Sequence, residues 1–324
     1  MDISLVIPAF NEAESLPELV AWIEKVMTAN AFSYEVVFID DGSTDNTWWT
    51  ISKMNEKNPY IKGIQFRRNY GKSAALYAGF GAAQGNVVIT MDADLQDSPD
   101  EIPELYRMIT QDGYDLVSGW KRERHDPKGK TLPSRFFNAT VRRMTGIKLH
   151  DFNCGLKAYK KKVVKSIEVY GEMHRYIPVL AQKAGFQRIG EKVVRHQARK
   201  FGTSKYGWER MIKGYLDLLT VLFMTRFGKS PMYFFGGSGT VMFLIGGLIA
   251  IYLITRKLIL QGQGIPVRSV ADQPLFFLAL AMAIVGVQLF IAGFLGELMG
   301  RQSADRNNYL IEDKIDIDHI KISE

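Results

Sequence analysis

Two carboxylates one residue apart, Asp92 and Asp94, stand where the apolar run Val87-Val88-Ile89-Thr90-Met91 gives way to a polar loop. At a strand end, that spacing can hold a divalent cation against a phosphate. Hard oxygen donors suit Mg2+ or Mn2+, and such ions keep several waters and share a substrate's phosphates. The loop continues through Leu95-Gln96-Asp97-Ser98-Pro99, adding an amide oxygen, a third carboxylate and a turn-forming proline. The plainer alternative is an Asp-rich turn capping a helix that begins near Ile102. The elements around the pair weigh against that alternative.

Residues 3–8 read as a buried strand, followed by the polar loop Ala9-Phe10-Asn11-Glu12. An amphipathic helix follows, with Leu16, Leu19, Val20, Ile23 and Val26 on one stripe. A second strand, 35–39, ends in Asp40-Asp41-Gly42-Ser43-Thr44-Asp45, and the next helix carries Trp48, Trp49, Ile51 and Met54. Residues 61–66 form a third strand, 72–83 a small-residue helix entered through Gly71, and 87–91 the strand that ends at Asp92. Further strands are expected at 115–119, 153–159 and 188–194, with helices at 134–145 and 176–184. This alternation predicts an α/β layer with a parallel sheet. Ligands of such sheets bind beyond the carboxyl ends of the strands. Asn11-Glu12, Asp40-Asp41 and Asp92-Asp94 all fall there, which turns three bland acidic loops into one site.

Charge and hydropathy add a second theme. The 324 residues carry a formal charge of +7. Residues 121–148 alone hold nine Lys and Arg against Glu123 and Asp126, an excess equal to that of the whole chain. Such a cluster calls for an anionic partner: nucleic acid, a phosphorylated ligand or an acidic lipid surface. Nucleic acid is disfavoured, because stacking platforms are sparse there: only Trp120, Phe136 and Phe137 accompany the densest basic run. Residues 232–255 contain no charge, and residues 274–299 contain one acid, Glu297. Each run exceeds the roughly 20 apolar residues that cross a bilayer. Two spans oblige both ends of the chain to face one compartment, and they are too few to line a polysaccharide channel. Lys and Arg flank both sides of the spans almost equally, so charge sets no orientation. No signal-peptide pattern precedes the first strand, so the region before the spans is expected to stay where it is made. The lone Cys154 excludes an intramolecular disulfide and fits a reducing compartment. Residues 208–227 read as an amphipathic helix lying in the membrane interface. The tail after Gly300 carries no assigned element.

Taken together, several motifs resemble those of family 2 glycosyltransferases of GT-A fold. They are Ser4-Leu5-Val6-Ile7-Pro8-Ala9-Phe10-Asn11-Glu12, Ile39-Asp40-Asp41-Gly42-Ser43 and Met91-Asp92-Ala93-Asp94-Leu95-Gln96. Arg68-Asn69-Tyr70-Gly71-Lys72 and Arg199-Lys200-Phe201-Gly202-Thr203-Ser204-Lys205-Tyr206 are similar to the polyprenyl-phosphate members, which include dolichol-phosphate mannose synthase and bacterial undecaprenyl-phosphate sugar transferases. The resemblance spans residues 3 to 300. It implies an α/β GT-A (Rossmann-like) mixed sheet over residues 1–206, a juxtamembrane helix at 207–230, a transmembrane hairpin within 231–300 and a cytoplasmic tail. It also implies an inverting hexosyltransferase of the inner membrane, its catalytic domain facing the cytoplasm, assembled as a homo-oligomer. The partners implied are a nucleotide-sugar donor, UDP-glucose or GDP-mannose above all, and undecaprenyl phosphate.

The resemblance further distributes roles. Asp94 and Gln96, with Asp92, would hold Mg2+ or Mn2+, and Asp92 would also contact the nucleotide. Pro8, Phe10, Asn11, Glu12, Asp40, Asp41, Lys72 and Ala93 would line the donor. Arg199, Ser204 and Lys205 match a basic loop over the phosphates. Arg135 and Asn138 fall where the acceptor phosphate is received, and Asp151 lies near the transferred sugar. Phe10 stands where many members have tyrosine. The arginine expected after the fifth strand could be Lys121, Arg122 or Arg124, with Arg122 carried forward as a catalytic candidate. An acceptor phosphate monoester has a second pKa near 6, so its oxygen is already an anionic nucleophile at neutral pH. A strong general base is therefore dispensable, and His150 and His196 are expected to bond neighbours or face phosphate.

Overall fold

The structure, a computed structural model, describes residues 1–122, 138–171, 173–197, 231–266, 268–302 and 311–315. The chain divides into two compact units, residues 1–222 with 305–324, and residues 223–304.

The first unit is built on an eight-stranded sheet. Its strands are β1 (Ile3–Ala9), β2 (Tyr34–Asp40), β3 (Ile61–Phe66), β4 (Val87–Thr90), β5 (Leu116–Trp120), β6 (Lys157–Lys160), β7 (Ile189–Val193) and β8 (Ile311–Ile315). Their order across the sheet is β7-β5-β6-β4-β1-β2-β3-β8. The continuous apolar runs of β1, β2 and β4 reflect burial on both faces: Leu5, Val6 and Ile7, like Val37 and Phe38, are wholly inaccessible. One face is covered by α1 (Leu16–Ala29), α2 (Thr47–Lys57) and α4 (Ile102–Thr110), whose Leu19, Ile23, Ile51 and Leu105 join the core of that side. The other is covered by α3 (Lys72–Ala82), a helix α5 over residues 138–145, α6 (Lys161–Ser166) and α7 (Ile177–Lys183). The Ala- and Gly-rich face of α3 is what lets that helix lie close on β1 and β2.

Two features depart from the sheet that the alternation alone predicts, the first of them as the resemblance implies. It is mixed rather than parallel, because β6 runs antiparallel between β4 and β5, and β8 antiparallel beside β3. The strand expected over 153–159 begins only at Lys157, since Cys154 and Gly155 are held in a turn. The reversal has a functional consequence: β6 starts at the edge where β1, β2, β4 and β5 end. The turn leading into it is thereby delivered to that edge. The tail, which had no assigned element, supplies the edge strand β8.

The opposite edge is tied by a buried carboxylate. Glu35, wholly inaccessible at the start of β2, accepts the Ser4 hydroxyl at 2.5 Å and the Gln84 backbone N–H at 2.7 Å through Oε1. Its Oε2 lies 3.0 Å from Lys62 Nζ. One side chain thus links β1, β2, β3 and the chain after α3. Glu35→Ala is expected to cost about 3 kcal/mol or more, because it leaves the Lys62 charge and two polar partners without their acceptor. The measurement is the denaturation midpoint of the full chain in detergent. An unchanged midpoint would show that the clamp carries no stability.

The second unit is a pair of long helices, Pro231–Gly262 and Pro274–Gln302. Within them, Met232–Gly262 and Pro274–Gly296 have mean hydropathies of 2.0 and 2.6 and are long enough to cross a membrane. The two backbones approach closely at Gly239 and Gly286, where a Cβ on Gly239 would lie 2.4 Å from the Gly286 carbonyl oxygen. Small residues at such crossings allow the packing that drives association of apolar helices.

Candidate active site

The loops after β1, β2 and β4 and the turn before β6 meet at one edge of the sheet. Pro8 and Phe10 are partly exposed there, at the end of β1. Asn11, in the left-handed region (φ 55°), ties the first two loops: its N–H donates to Ser43 Oγ at 2.9 Å and its Oδ1 accepts Thr44 N–H at 2.8 Å. Glu12 is anchored through its N–H to Thr47 Oγ1. Asp40 is fully buried and faces its own turn, accepting Ser43 N–H at 3.0 Å and the Gln65 amide at 3.3 Å. Asp41 is also buried, and its two oxygens accept the N–H groups of Tyr70 and Gly71 at 2.7 and 2.9 Å. Burial pushes the Asp41 carboxyl up to about 6, against the pull of those two bonds. These bonds fix the segment that leads into α3 and Lys72.

Lys72, at the start of α3, reaches Asp92 and bonds its Oδ1. Burial alone would raise the Asp92 pKa, but the ammonium groups of Lys72, Lys121 and Lys157 outweigh it and hold it at about 2. Ala93 is buried and Asp94 nearly so. Asp94 Oδ1 accepts the Gln96 backbone N–H at 3.2 Å. Between them Leu95 takes a left-handed conformation (φ 59°) that is costly for a residue with a branched side chain. Its side chain is 1% exposed in the core, so apolar burial holds the backbone in the kink that carries Asp94 and Gln96. The segment after β7 closes over this loop, with Gln197 N–H donating to the Gln96 carbonyl at 3.0 Å.

The strand after α4 brings Lys121 rather than Arg122 to the acidic loop. Lys121 Nζ lies 2.8 Å from Asp97 Oδ1, whereas Arg122 is exposed and lines a groove with Glu101, Lys192 and Arg195. Asp151 is 1% exposed; its Oδ1 accepts Asn153 N–H at 3.0 Å, and its carbonyl accepts Ser118 Oγ at 3.2 Å. Asn138 is buried at the start of α5, and its Oδ1 accepts Phe152 N–H at 3.4 Å, tying that helix to the Asp151 turn. Arg124, Arg135, Arg199, Ser204, Lys205 and the expected interface helix at 208–227 lie outside the described residues.

Lys157 was not singled out by its pattern. It opens β6, is 4% exposed, and donates through Nζ to the Cys154 carbonyl. Burial lowers its pKa, and the Lys72 charge adds to the effect. Thr90 Oγ1 holds the next carbonyl, that of Gly155, at 2.8 Å. The Gly155 Cα then lies directly against the Asp92 carboxylate. The one visible signal was a lysine inside the otherwise apolar run Leu156-Lys157-Ala158-Tyr159.

A family model described as glycosyl transferase family 2 matches residues 4–168. The dodecaprenyl-phosphate galacturonate synthase of Rhizobium johnstonii is 35% identical over 304 residues, 93% of this chain and 88% of that one. The undecaprenyl-phosphate 4-deoxy-4-formamido-L-arabinose transferase of Pseudomonas syringae is 36% identical over 316 residues, 96% of this chain and 90% of that one. Among solved structures, glucosyl-3-phosphoglycerate synthase of Mycobacterium tuberculosis, in complex with Mn2+, uridine-diphosphate-glucose and phosphoglyceric acid, aligns with a TM-score of 0.53. It covers 69% of this chain and 79% of its own at 19% identity, a likeness of fold. The match over half the chain and the two full-length relatives agree with the GT-A-like mixed sheet and its acidic edge: the chain is an enzyme of glycosyl transferase family 2.

Proposed function

We propose that this enzyme transfers a sugar from a nucleotide-sugar to the phosphate of a membrane polyprenyl phosphate in one displacement that inverts the anomeric centre. The observation that carries the proposal is the convergence, on one sheet edge, of the β1, β2 and β4 loops with the Asp151 turn. It occurs in a chain with two apolar helices whose full-length relatives are named for polyprenyl-phosphate substrates.

In this reading Pro8, Phe10 and Glu12 line the nucleoside, and Asp41 and Asp40 hold the loops that shape its pocket. Asp92 contacts the nucleotide with Lys72 balancing its charge. Asp94 and Gln96 would hold Mg2+ or Mn2+. The donor set fits: both supply hard oxygens at the rim of the sheet, and the charge of the neighbouring carboxylate, Asp92, is already matched by Lys72. Among the described residues no three His, Cys, Asp or Glu side chains gather into a cage, so the remaining ligands would come from substrate phosphates and water. When bound, the ion neutralises charge on the departing diphosphate. Lys72 and Lys121 add fixed positive charge beside it, where preorganised groups are most effective. Asp151 orients the sugar. The acceptor phosphate attacks as an anion, so no side chain is asked to remove its proton. Arg135 is assigned to that phosphate, and Arg199, Ser204 and Lys205 to the diphosphate.

Connectivity supports a single side for the whole catalytic unit. β1 to β7 precede both apolar helices and β8 follows them, yet all eight strands share one sheet. Two membrane crossings return the chain to the side it left. The reading places that side in the cytoplasm, where nucleotide-sugars are made available. The sugars named in the two relatives differ from each other, so the donor is best found by screening. With Mn2+ present, one nucleotide-sugar in a panel of UDP- and GDP-linked hexoses, hexuronates and modified pentoses is expected to raise the melting temperature of the full chain in detergent. No response to any nucleotide or nucleotide-sugar would overturn the donor assignment.

A further inference from the structure

The order of strands also orders the loops at the active edge. From β2 and β1 it runs through β4, with Asp92 and Asp94, to the turn before β6, with Asp151, and then to β5 and β7. If nucleoside, diphosphate and sugar occupy that sequence, the β5–β7 end is where the acceptor arrives. That end holds a cluster the donor site does not use.

His150 is fixed there at three points. Glu191, on β7, accepts the His150 backbone N–H through Oε2 at 2.7 Å, and its Oε1 bonds ring Nδ1. The imidazole lies flat on the Trp120 indole, with centroids 4.1 Å apart and planes at 13°. A carboxylate at Nδ1 sets the proton on that nitrogen and leaves Nε2 to meet another group. The His150 side chain is 46% exposed, so core burial does not account for its fixation. Ordering an exposed side chain costs conformational entropy, and exposed ion pairs return little of it. The turn is rigid as well: the next residue is the buried Asp151, whose carbonyl is held by Ser118 and whose carboxylate caps Asn153.

We infer that His150 Nε2 binds the phosphate monoester of the acceptor, with Glu191 and Trp120 as positioning residues that aim the ring. The inference rests on the transferase reading above and adds to it a residue, a ligand group and a place. Two substitutions separate binding from a structural role. Asparagine puts its amide nitrogen near the Nδ1 position and can keep the Glu191 bond, while glutamine reaches the Nε2 position.

The experiment is direct binding of undecaprenyl phosphate to the full chain in detergent, which needs no turnover. His150→Asn is expected to weaken binding about ten-fold, the loss of one hydrogen bond to a charged group, with nucleotide-sugar affinity unchanged. His150→Gln is expected to recover most of the loss. Inorganic phosphate, used as a competitor, should lose about the same factor in His150→Asn, because the ring meets the headgroup. Wild-type lipid affinity in His150→Asn, or a loss in His150→Asn that His150→Gln does not recover, would overturn the inference. So would a lipid effect with no phosphate effect, which would place the ring on the isoprenoid chain. Failure of the wild type to transfer any sugar would count against the reaction instead, since the binding results stand apart from it.

Discussion

Asp94→Asn is expected to lower turnover by about a thousand-fold or more while leaving the fold intact. The substitution is isosteric, and its amide oxygen can still accept the Gln96 N–H that shapes the loop. Leu95 stays buried, so the kink persists. What is lost is the negative charge assigned to the divalent ion. Metal polarisation of a phosphoryl oxygen supplies several kcal/mol of transition-state stabilisation, and each 1.36 kcal/mol is ten-fold in rate. The check is steady-state transfer alongside the melting temperature of the variant. Turnover near that of the wild type would sink the metal assignment, whereas a large fall in melting temperature would assign Asp94 to the fold.

The second large effect is predicted for a residue with no functional group. A Cβ on Gly155 would lie 2.5 Å from Asp92 Oδ2 and 2.6 Å from its Cγ. Gly155 cannot retreat, because Thr90 holds its carbonyl and Lys157 holds the one before it. In Gly155→Ala, therefore, the Asp92 carboxylate must swing away and loosen its pairing with Lys72. Misplacement of about 1 Å in such a site can cost a hundred-fold, and kcat/KM is expected to fall by about that much. The melting temperature should change little, since the Asp92 and Lys72 side chains are about one-third exposed and such pairs add little stability. Wild-type kcat/KM in Gly155→Ala would show that the position of Asp92 is immaterial to catalysis.

Much of this arrangement is legible in the sequence, for physical reasons. Strands buried on both faces must be continuous apolar runs, so β1, β2 and β4 announced themselves. Acidic loops at their ends marked the edge where α/β sheets bind ligands. The reversal of β6 was not legible, because strand direction depends on the path of residues 121–156 and not on the composition of the strand. β8 escaped notice for a related reason: Ile-Glu-Asp-Lys-Ile is short and polar, as suits an edge strand that pairs on one side only. Lys157 drew no reading from its pattern, and only the turn at Cys154 and Gly155 shows why a buried ammonium belongs there. Likewise, Asp97 read only as a further carboxylate of the loop, and the structure pairs it with Lys121. Sequence can place a carboxylate in a loop, but which cation meets it is decided by the strand after the next helix.

The central claim is that this edge moves a sugar onto a lipid phosphate. Its most direct test is incubation of the purified full chain with undecaprenyl phosphate, Mg2+ or Mn2+ and the radiolabelled donor chosen by thermal shift. Label is then measured in the organic phase. The account predicts label in a lipid product that mild acid releases as free sugar, and no such product without the lipid phosphate. A donor that binds tightly yet labels no lipid under any of these conditions would contradict it.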